Sequence, residues 1–494
     1  MSWFVVAWVG CTGEPAPNPT GTGVEPTIPT GVDPPEREPC DPLQTGSGDW
    51  VVSEAANLCL SFNAIEGDLI VDEDPEGVEC LCAIGGQIVI DGTSRDLSLP
   101  YLTTVGGGIS ATDQVGLSTV ALPSLQSVGG AITLVGNTQL SVIDLGALAS
   151  TSNLTVRGSS VPSLELPSLG STGEIEVSGG ANLASITFGA LTSATALVVV
   201  DNPRLEVVDG LAGLGAVEGD LRLEGLPMLS TVNGLDAVAS VGGDLRFVGD
   251  DQLSVIDGFG ALTSVGGDLV IAAQPDLVSV TGFDSLASIG GDLVIEDAAT
   301  LGVVDGFGAL VSVGLLRIAE NGGLTTVPKF TVLETASAVQ LVNLDALTTA
   351  ERFPALSALD QLLLDDLFRL SALPAFPVLA EVGDLTVTND FAIEELVGLE
   401  AVTVVSGDLT VRSNRGLESV DGLGGLTRVE GDLVIESNDA LDDIAALAGL
   451  TWVGGDLLVR DNPSLPTSIA SALVEQIGLE QIGGTVEVSN NGPG

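Results

Sequence analysis

The chain has 494 residues, 67 acidic and 14 basic, so its formal net charge at pH 7 is -53. A field of that sign repels phosphates and anionic headgroups, which disfavours nucleic acids and acidic membranes as partners. Histidine is absent, which excludes histidine acid–base catalysis and histidine metal ligands. Aromatic residues make up only 3% of the chain against 45% hydrophobic residues, and this composition suits thin stacked layers of small aliphatic side chains.

Residues 1–11, MSWFVVAWVGC, form a short apolar run that ends at Cys11. The run is too short to cross a bilayer as a helix. It resembles the end of a lipoprotein signal peptide, in which small residues precede a cysteine that becomes lipidated. We therefore predict a signal segment at 1–11 and lipidation of Cys11, which would anchor an exported chain to a bacterial outer membrane. An ordinary cleaved signal peptide is the alternative.

Residues 12–48 are rich in proline, threonine and glycine, and nine of the 24 prolines fall between Pro15 and Pro42. Such a stretch cannot bury a core and favours extended conformations. We predict a disordered tether that holds a folded body away from the membrane.

Four further cysteines follow within or just after the tether, Cys40, Cys59, Cys80 and Cys82. In an exported chain four cysteines indicate two disulfides, and three pairings are open. A Cys-x-Cys zinc site is the alternative, but it lacks a second matching pair. The sequence predicts that residues 49–85 form a disulfide-bearing cap on the N-terminal end of the folded body.

The rest of the chain, residues 86–490, is filled by an internal repeat. The glycine before a central aspartate recurs every 24 residues at Gly219, Gly243, Gly267 and Gly291, and it returns from Gly383 onwards. Each unit reads G-D-L-x-I-x-x-N-x-x-L, then an Asp-Gly or Asn-Gly turn, then an aliphatic return. Stacked units share one core, and about 19 coils of roughly 22–24 residues are expected.

This unit resembles the receptor L-domain family, which is related to leucine-rich repeats and occurs in receptor ectodomains and microbial surface proteins. The match is strongest over 205–320 and 380–465. The resemblance implies an all-β fold, a single right-handed β-helix or leucine-rich-repeat-like solenoid, with a binding role. The cysteine-rich module that separates two L domains in receptors is missing here, so receptor signalling is not implied.

Two further patterns support stacking. Asparagines fall at or near one register after the strand, where a buried amide can bond the backbone of neighbouring coils; they are Asn137, Asn202, Asn321, Asn389, Asn414, Asn438 and Asn462. The segment 469–477, IASALVEQI, predicts a short helix that caps the C-terminal end before a last strand at 485–488.

Aspartates also form columns. They occupy one register in two runs, Asp220, Asp244, Asp268, Asp292 and Asp384, Asp408, Asp432, Asp456. Like charges about 5 Å apart repel by roughly 1 kcal/mol in water, so something should offset them. Either each carboxylate caps turn amides locally, or calcium ions bind between the coils. The G-G-x-G-x-D pattern of calcium-binding rolls is missing.

The Gly-Asp signature disappears between residues 327 and 381. This stretch contains the only lysine and concentrates basic and aromatic residues that are rare elsewhere. Irregular coils of a solenoid often hold ligand contacts, although phenylalanine also fills cores in place of leucine. The candidate ligand-binding residues are Lys329, Phe330, Arg352, Phe353 and Arg369.

Arg222, Arg246 and Arg317 share an outward strand position and are expected to pair with neighbouring acids.

Three functions are open to such a chain. The first is a cell-surface lipoprotein that recognises an extracellular protein or glycan, which fits anchor, tether and repeats. The second is a passive structural protein of the envelope. The third, which we disfavour, is a carboxylate-based polysaccharide-degrading enzyme, because the acids recur coil after coil instead of forming one constellation. We therefore expect a non-enzymatic protein with no cofactor unless calcium binds.

Overall fold

The computed structural model describes residues 40–54 and 58–493. The predicted signal segment, Cys11 and the tether up to residue 39 lie outside the described residues. Within them, no helix is both long and apolar enough to cross a membrane.

The described chain winds into a parallel β-solenoid of about 18 turns, which confirms the predicted fold class. Each coil adds either two short strands or one longer strand to one 33-stranded sheet, and three groups of coils add a further 3-stranded sheet on a second side. Every strand pairs in parallel with the equivalent strand of the next coil, because each unit can bury its apolar face only against its neighbours. One helix and five short 3-10 helices complete the structure.

The strands of the long sheet are Thr45–Gly46, Trp50–Val51, Ala64–Ile65, Leu69–Val71, Ala83–Ile84, Ile88–Ile90, Thr104–Val105, Ile109–Thr112, Ser127–Val128, Ile132–Val135, Ser150–Thr151, Leu154–Arg157, Ser171–Ser178, Ser193–Val200, Ala216–Val217, Leu221–Glu224, Ser240–Val241, Leu245–Val248, Ser264–Val265, Leu269–Ala272, Ser288–Ile289, Leu293–Glu296, Leu315–Ala319, Ala338–Val342, Ala358–Asp365, Glu381–Thr388, Val404–Val405, Leu409–Arg412, Arg428–Val429, Leu433–Glu436, Trp452–Val453, Leu457–Arg460 and Val486–Ser489.

The three small sheets contain Asp96–Ser98, Thr119–Ala121 and Val142–Asp144; Ser163–Leu166, Ser185–Phe188 and Val207–Asp209; and Val255–Ile256, Ser279–Val280 and Val303–Val304. The helix, α1, spans Thr467–Ile477, and the 3-10 helices are Val52–Glu54, Leu58–Leu60, Asp421–Leu423, Ala445–Gly449 and Leu479–Gln481.

The coil 264–287 shows why the repeat folds this way. Strand Leu269–Ala272 alternates inward and outward side chains, and its inward Leu269 and Ile271 are fully buried. The next residue, Ala273, turns the chain with a positive φ of 53°, and Gly282 makes a second turn at φ 88°. The inward residues of successive coils join into one continuous hydrophobic core.

The Gly-Asp signature is explained by close stacking. The Asp244 carboxylate (Oδ1) accepts the backbone N–H of Asp268 in the next coil at 2.9 Å. That oxygen lies where a side chain at Gly267 would begin, since a Cβ there would be 2.1 Å from it. Glycine is therefore required at six of these positions because the carboxylate of the preceding coil occupies the space; they are Gly243, Gly267, Gly291, Gly407, Gly431 and Gly455.

The asparagine column is confirmed, with one correction. In Asn438 the side-chain Nδ2 donates to the Val411 carbonyl at 3.0 Å, and its Oδ1 accepts the Asn414 backbone N–H at 3.0 Å. Asn389 does not belong to this column: it lies one residue earlier, at a positive φ of 59° and partly exposed, and the buried register is held by Asp390. Asp390 lies one regular step of 24 residues before Asn414, so an aspartate takes the place of asparagine in this coil and the asparagine precedes it.

The N-terminal coils contain both disulfides, Cys40–Cys82 and Cys59–Cys80, which resolves the three open pairings. Strand Thr45–Gly46 already pairs in parallel with Ala64–Ile65. Stacking therefore extends into the ranges that the sequence assigned to the tether, 12–48, and to the cap, 49–85.

Helix α1 begins two residues before the segment predicted from the sequence and packs against the last strand and the 3-10 helix Ala445–Gly449. Its inward Ala470, Leu473 and Ile477 are buried. The predicted C-terminal helix is thus confirmed, and it covers one side of the last coils.

Candidate functional site

Loss of the Gly-Asp signature between residues 327 and 381 does not interrupt the sheet. Strand Ala338–Val342 pairs in register with Leu315–Ala319 on one side and with the strand at 361–365 on the other. The interruption therefore changes the surface of the solenoid while its scaffold continues.

Phe330 and Phe353 are core residues, so their assignment to ligand binding is wrong. Both are 1% exposed. Their ring centroids lie 5.5 Å apart at an interplanar angle of 10°, and the Phe353 ring stacks on that of Phe376 at 4.9 Å. The stack extends back through Phe307 to Phe283, so phenylalanine replaces leucine in one inward column.

Lys329 and Arg352 are both exposed and stand at the same position of adjacent coils, because Thr326 and Thr349, three residues earlier in each coil, form a parallel bridge. Eight of the 13 described basic residues form ion pairs. Within the described residues, neither Lys329 nor Arg352 has a carboxylate within 4.0 Å.

Around these two cations, three neighbouring segments form a surface that we name the cationic patch: residues 329–333 (KFTVL), 352–356 (RFPAL) and 375–379 (AFPVL). The patch has two basic residues and no acidic one. Its outward aliphatic side chains include Val332 and Val378, 41% and 46% exposed. The flanking coils carry no cation at these positions.

Arg369 lies at a different edge of the coil, in the turn that follows strand Ala358–Asp365, and is also exposed and without an ion pair among the described residues. Beside it is a second surface, the aromatic row, made of Phe368, Phe391 and Arg415. The Phe368 and Phe391 ring centroids are 4.9 Å apart, and the Arg415 guanidinium lies 5.0 Å from the Phe391 centroid.

Phe391 is 42% exposed, and sequence reasoning missed both it and Arg415. The position of Phe391 and Arg415 within the repeat could have identified them from the sequence. Both directly follow a residue of the asparagine column, where other coils place small or polar residues such as proline, glycine, alanine, threonine or aspartate. The structure thus separates the predicted site residues into two surfaces and two core positions.

A groove of about 410 Å³ borders the cationic patch. Its lining includes three carboxylates that depart from the regular aspartate register, Glu334, Asp360 and Glu381. All three are exposed. Glu334 directly follows the first segment of the patch, so cationic and anionic surfaces meet at this edge.

The aspartate columns form a hydrogen-bond ladder between coils. In all eight predicted aspartates, Oδ1 accepts the backbone N–H of the equivalent residue one coil later, at 2.6–3.0 Å. The amides capped belong to the next coil, not to the local turn. The described residues contain no group of three or more histidine, cysteine or acidic side chains placed to hold a metal, and calcium binding stays a prediction.

Substitutions at Asp268 separate the hydrogen-bond ladder from a calcium ladder. We expect Asp268→Ala to destabilise the protein by about 1–2 kcal/mol, because the Asp292 N–H loses its acceptor. Asp268→Asn keeps an Oδ1 acceptor and removes like-charge repulsion, so it should match or exceed the wild type in thermal melting. A wild-type melting temperature that falls with chelator, and an Asp268→Asn variant insensitive to chelator, would instead establish bound calcium.

The predicted pairing of the outward arginines is confirmed. Arg222 and Arg246 both contact Glu224 at 2.8 Å, from the same strand and from the next coil, and Arg317 contacts Glu296 at 2.8 Å. All of these side chains are partly exposed, so each pair contributes little to stability. These arginines form ion pairs within the chain and therefore do not add unpaired positive charge to the surface.

The fold and the surfaces together define a parallel β-solenoid with an irregular segment that carries cations without ion pairs and an exposed aromatic row.

No family model matches the sequence, and no curated protein does. Among solved structures, it is similar to a leucine-rich repeat protein from Bacteroides ovatus ATCC 8483, at 12% identity over 82% of this chain and 88% of that one, with a TM-score of 0.31.

A second similar structure is that of a TLR13–ssRNA13 complex, at 13% identity over 86% of this chain and 78% of that one, with a TM-score of 0.21. At such scores the description of the fold rests on the parallel strand pairing itself. The resemblance to receptor L-domains stays a prediction.

Proposed function

We propose that this chain is an exported, lipid-anchored recognition protein whose solenoid presents a binding surface for an extracellular protein or glycan. One observation carries the proposal. In a chain of net charge -53, three exposed cations without ion pairs among the described residues, Lys329, Arg352 and Arg369, fall within residues 327–381, where the Gly-Asp signature is lost. An exposed aromatic row lies in the same region, and exposed aromatic and basic residues are typical of binding surfaces.

The scaffold supports this role. Long stacked cores hold surface residues in fixed positions, so a ligand meets a preorganised surface and the entropic cost of ordering it is low. The apolar run before Cys11 and the proline-rich segment after it are the basis for the proposed lipid anchor and tether, and they support the proposed localisation at the bacterial outer membrane.

Anchoring is tested by protease treatment of intact cells followed by mass spectrometry of the N-terminal peptide. We expect a diacylated Cys11 and release of solenoid peptides. An unmodified chain that is protected from protease would contradict the proposed location.

Binding is tested separately, by screening purified solenoid against arrays of extracellular proteins and glycans. We expect saturable binding that Phe391→Ala with Arg369→Ala weakens by about tenfold or more. Arg204→Ala, which removes an exposed arginine without an ion pair on a distant coil, is the matched control. A passive envelope protein would show no saturable binding in either array.

The acidic groove favours one further candidate, a carboxylate-based glycan-cleaving enzyme, because Glu334, Asp360 and Glu381 leave the regular register. A glycosidase acid usually keeps its proton through burial, and all three side chains are exposed. The test is release of reducing ends from a polysaccharide panel, compared with a Glu334→Gln, Glu381→Gln variant. Turnover that this variant abolishes would establish the enzyme.

A further inference from the structure

The cationic patch places two like charges side by side, and among the described residues neither has a carboxylate within 4.0 Å. Lys329 and Arg352 stand at the same position of adjacent coils, so their backbones are about 5 Å apart. Elsewhere along the solenoid the arginines of neighbouring coils share a glutamate, as Arg222 and Arg246 share Glu224. Two adjacent exposed cations without an ion pair are available to contact carboxylates of another molecule.

The patch also offers aliphatic surface. Val332 and Val378 are 41% and 46% exposed, and Pro354 and Pro377 are exposed between them. The three aromatic rings within the patch segments, Phe330, Phe353 and Phe376, are buried beneath its surface. A glycan ligand normally stacks on an exposed ring and hydrogen-bonds to polar groups, and this patch presents neither an exposed ring nor an amide side chain. Anionic groups combined with small apolar side chains are the chemistry of an acidic polypeptide.

We propose that the cationic patch, residues 329–333, 352–356 and 375–379, docks an acidic polypeptide segment of a partner protein, with carboxylates on Lys329 and Arg352 and aliphatic side chains on Val332 and Val378. The segment is short, because the acidic groove that begins at Glu334 repels a longer polyanion. This inference rests on the proposed recognition function and names the class of its ligand.

The experiment measures binding of a short labelled peptide of repeated Glu-Glu-Val-Gly units to the purified solenoid, with hyaluronate and polygalacturonate as acidic glycan competitors. Ionic strength is held near 0.15 M, where the Debye length is about 8 Å and the distant acidic surface is screened. The variants are Lys329→Glu with Arg352→Glu, and Val332→Asp with Val378→Asp. Arg95→Glu with Arg204→Glu makes the same change in net charge on exposed arginines outside the patch, which also lack ion pairs among the described residues.

We expect the peptide to bind the wild type and the charge control equally, and each patch variant to bind about tenfold more weakly or worse. Circular dichroism melting of the variants keeps loss of binding separate from loss of folding. An equal loss in the charge control, stronger binding of either glycan, or no peptide binding to the wild type would overturn the inference. So would sedimentation showing that the patch binds a second copy of this chain.

These outcomes are distinct from those for the proposed function. The patch variants could keep full binding to array ligands while Phe391→Ala with Arg369→Ala loses it. That result would support the proposed recognition function and contradict the ligand class assigned to the cationic patch.

Discussion

Asparagine in place of Asp390 is expected to stabilise the protein at neutral and alkaline pH, by about 2–4 kcal/mol. Asp390 is fully buried in the asparagine column. Its Oδ1 accepts the Leu367 N–H at 2.7 Å, but its Oδ2 is buried without a hydrogen-bond partner in the described residues. Asparagine would supply a donor at that position.

The register of the column identifies the missing contact. Asn414 donates from Nδ2 to the Val387 carbonyl, and Leu364 is the equivalent of Val387 one coil earlier. The Leu364 carbonyl therefore faces the position of the Asp390 Oδ2. A carboxylate cannot donate to it, whereas a protonated acid or an amide can.

Burial raises the pKa of Asp390 to about 8, with Asp365 and Asp366 adding to the rise. The folded state therefore binds one more proton than the unfolded state between pH 3.8 and about 8. Stability from this group is complete below pH 3.8 and is lost as the pH rises towards 8. The full shift corresponds formally to roughly 6 kcal/mol, and relaxation around the charge reduces what is measured.

Thermal and denaturant unfolding across pH 5–9 check this prediction. The gain from Asp390→Asn should grow with pH and level off above about 8. Asn414→Asp is the matched reverse change in the adjacent coil and should destabilise most at high pH. A gain that is the same at every pH would contradict the role of protonation.

Asp250 provides an independent repeat of the test. It is buried in the same column, where Gln274 Nε2 donates to its Oδ2 at 3.1 Å. Burial raises its pKa to about 7. Asp250→Asn should therefore show the same pH dependence with a midpoint about one unit lower.

Alanine in place of Phe353 is expected to destabilise the solenoid by about 3–5 kcal/mol. The ring is 1% exposed and stacked between those of Phe330 and Phe376. Removing it leaves a cavity within a column that neighbouring coils cannot close, because the backbone spacing is fixed by the sheet. Peptide and glycan binding should be unchanged at temperatures where the variant is folded.

Phe353→Leu is the control, since leucine fills the same column at Leu399 and Leu423. It should cost less than about 1.5 kcal/mol. Hydrogen exchange of strands Ala338–Val342 and Ala358–Asp365 would show whether the loss stays local, as expected when each coil contacts only its neighbours. A variant as stable as the wild type but deficient in binding would restore Phe353 to the ligand site.

Periodicity made much of the fold predictable. When coils stack in register, residues one period apart in the sequence become neighbours in space. The Gly-Asp signature, the asparagine column and the outward arginines could therefore be placed from their spacing alone. The turn at Gly258 was predictable for the same reason, and its positive φ of 88° confirms it.

The sequence by itself determined the repeat and the stacking register of the regular coils, because equal spacing and alternating hydrophobicity specify them locally, and it determined the C-terminal helix through an amphipathic pattern of helical period. Only the tertiary structure decided which residues of the interruption face outward. Phe353 and Phe391 are both phenylalanines beside a charged or polar residue, yet the register carries one into the core stack and the other to the surface.

The disulfide pairing and the pairing of charges were also decided by the structure. Four cysteines in a short stretch permit three pairings, and the coil geometry selects Cys40–Cys82 and Cys59–Cys80. Likewise, the composition shows that acidic residues exceed basic ones. Whether a given lysine or arginine forms an ion pair depends on which side chains the stacking of coils brings close to it. Lys329 and Arg352 remain unpaired among the described residues because their coils bring two cations, and no acid, to the same position.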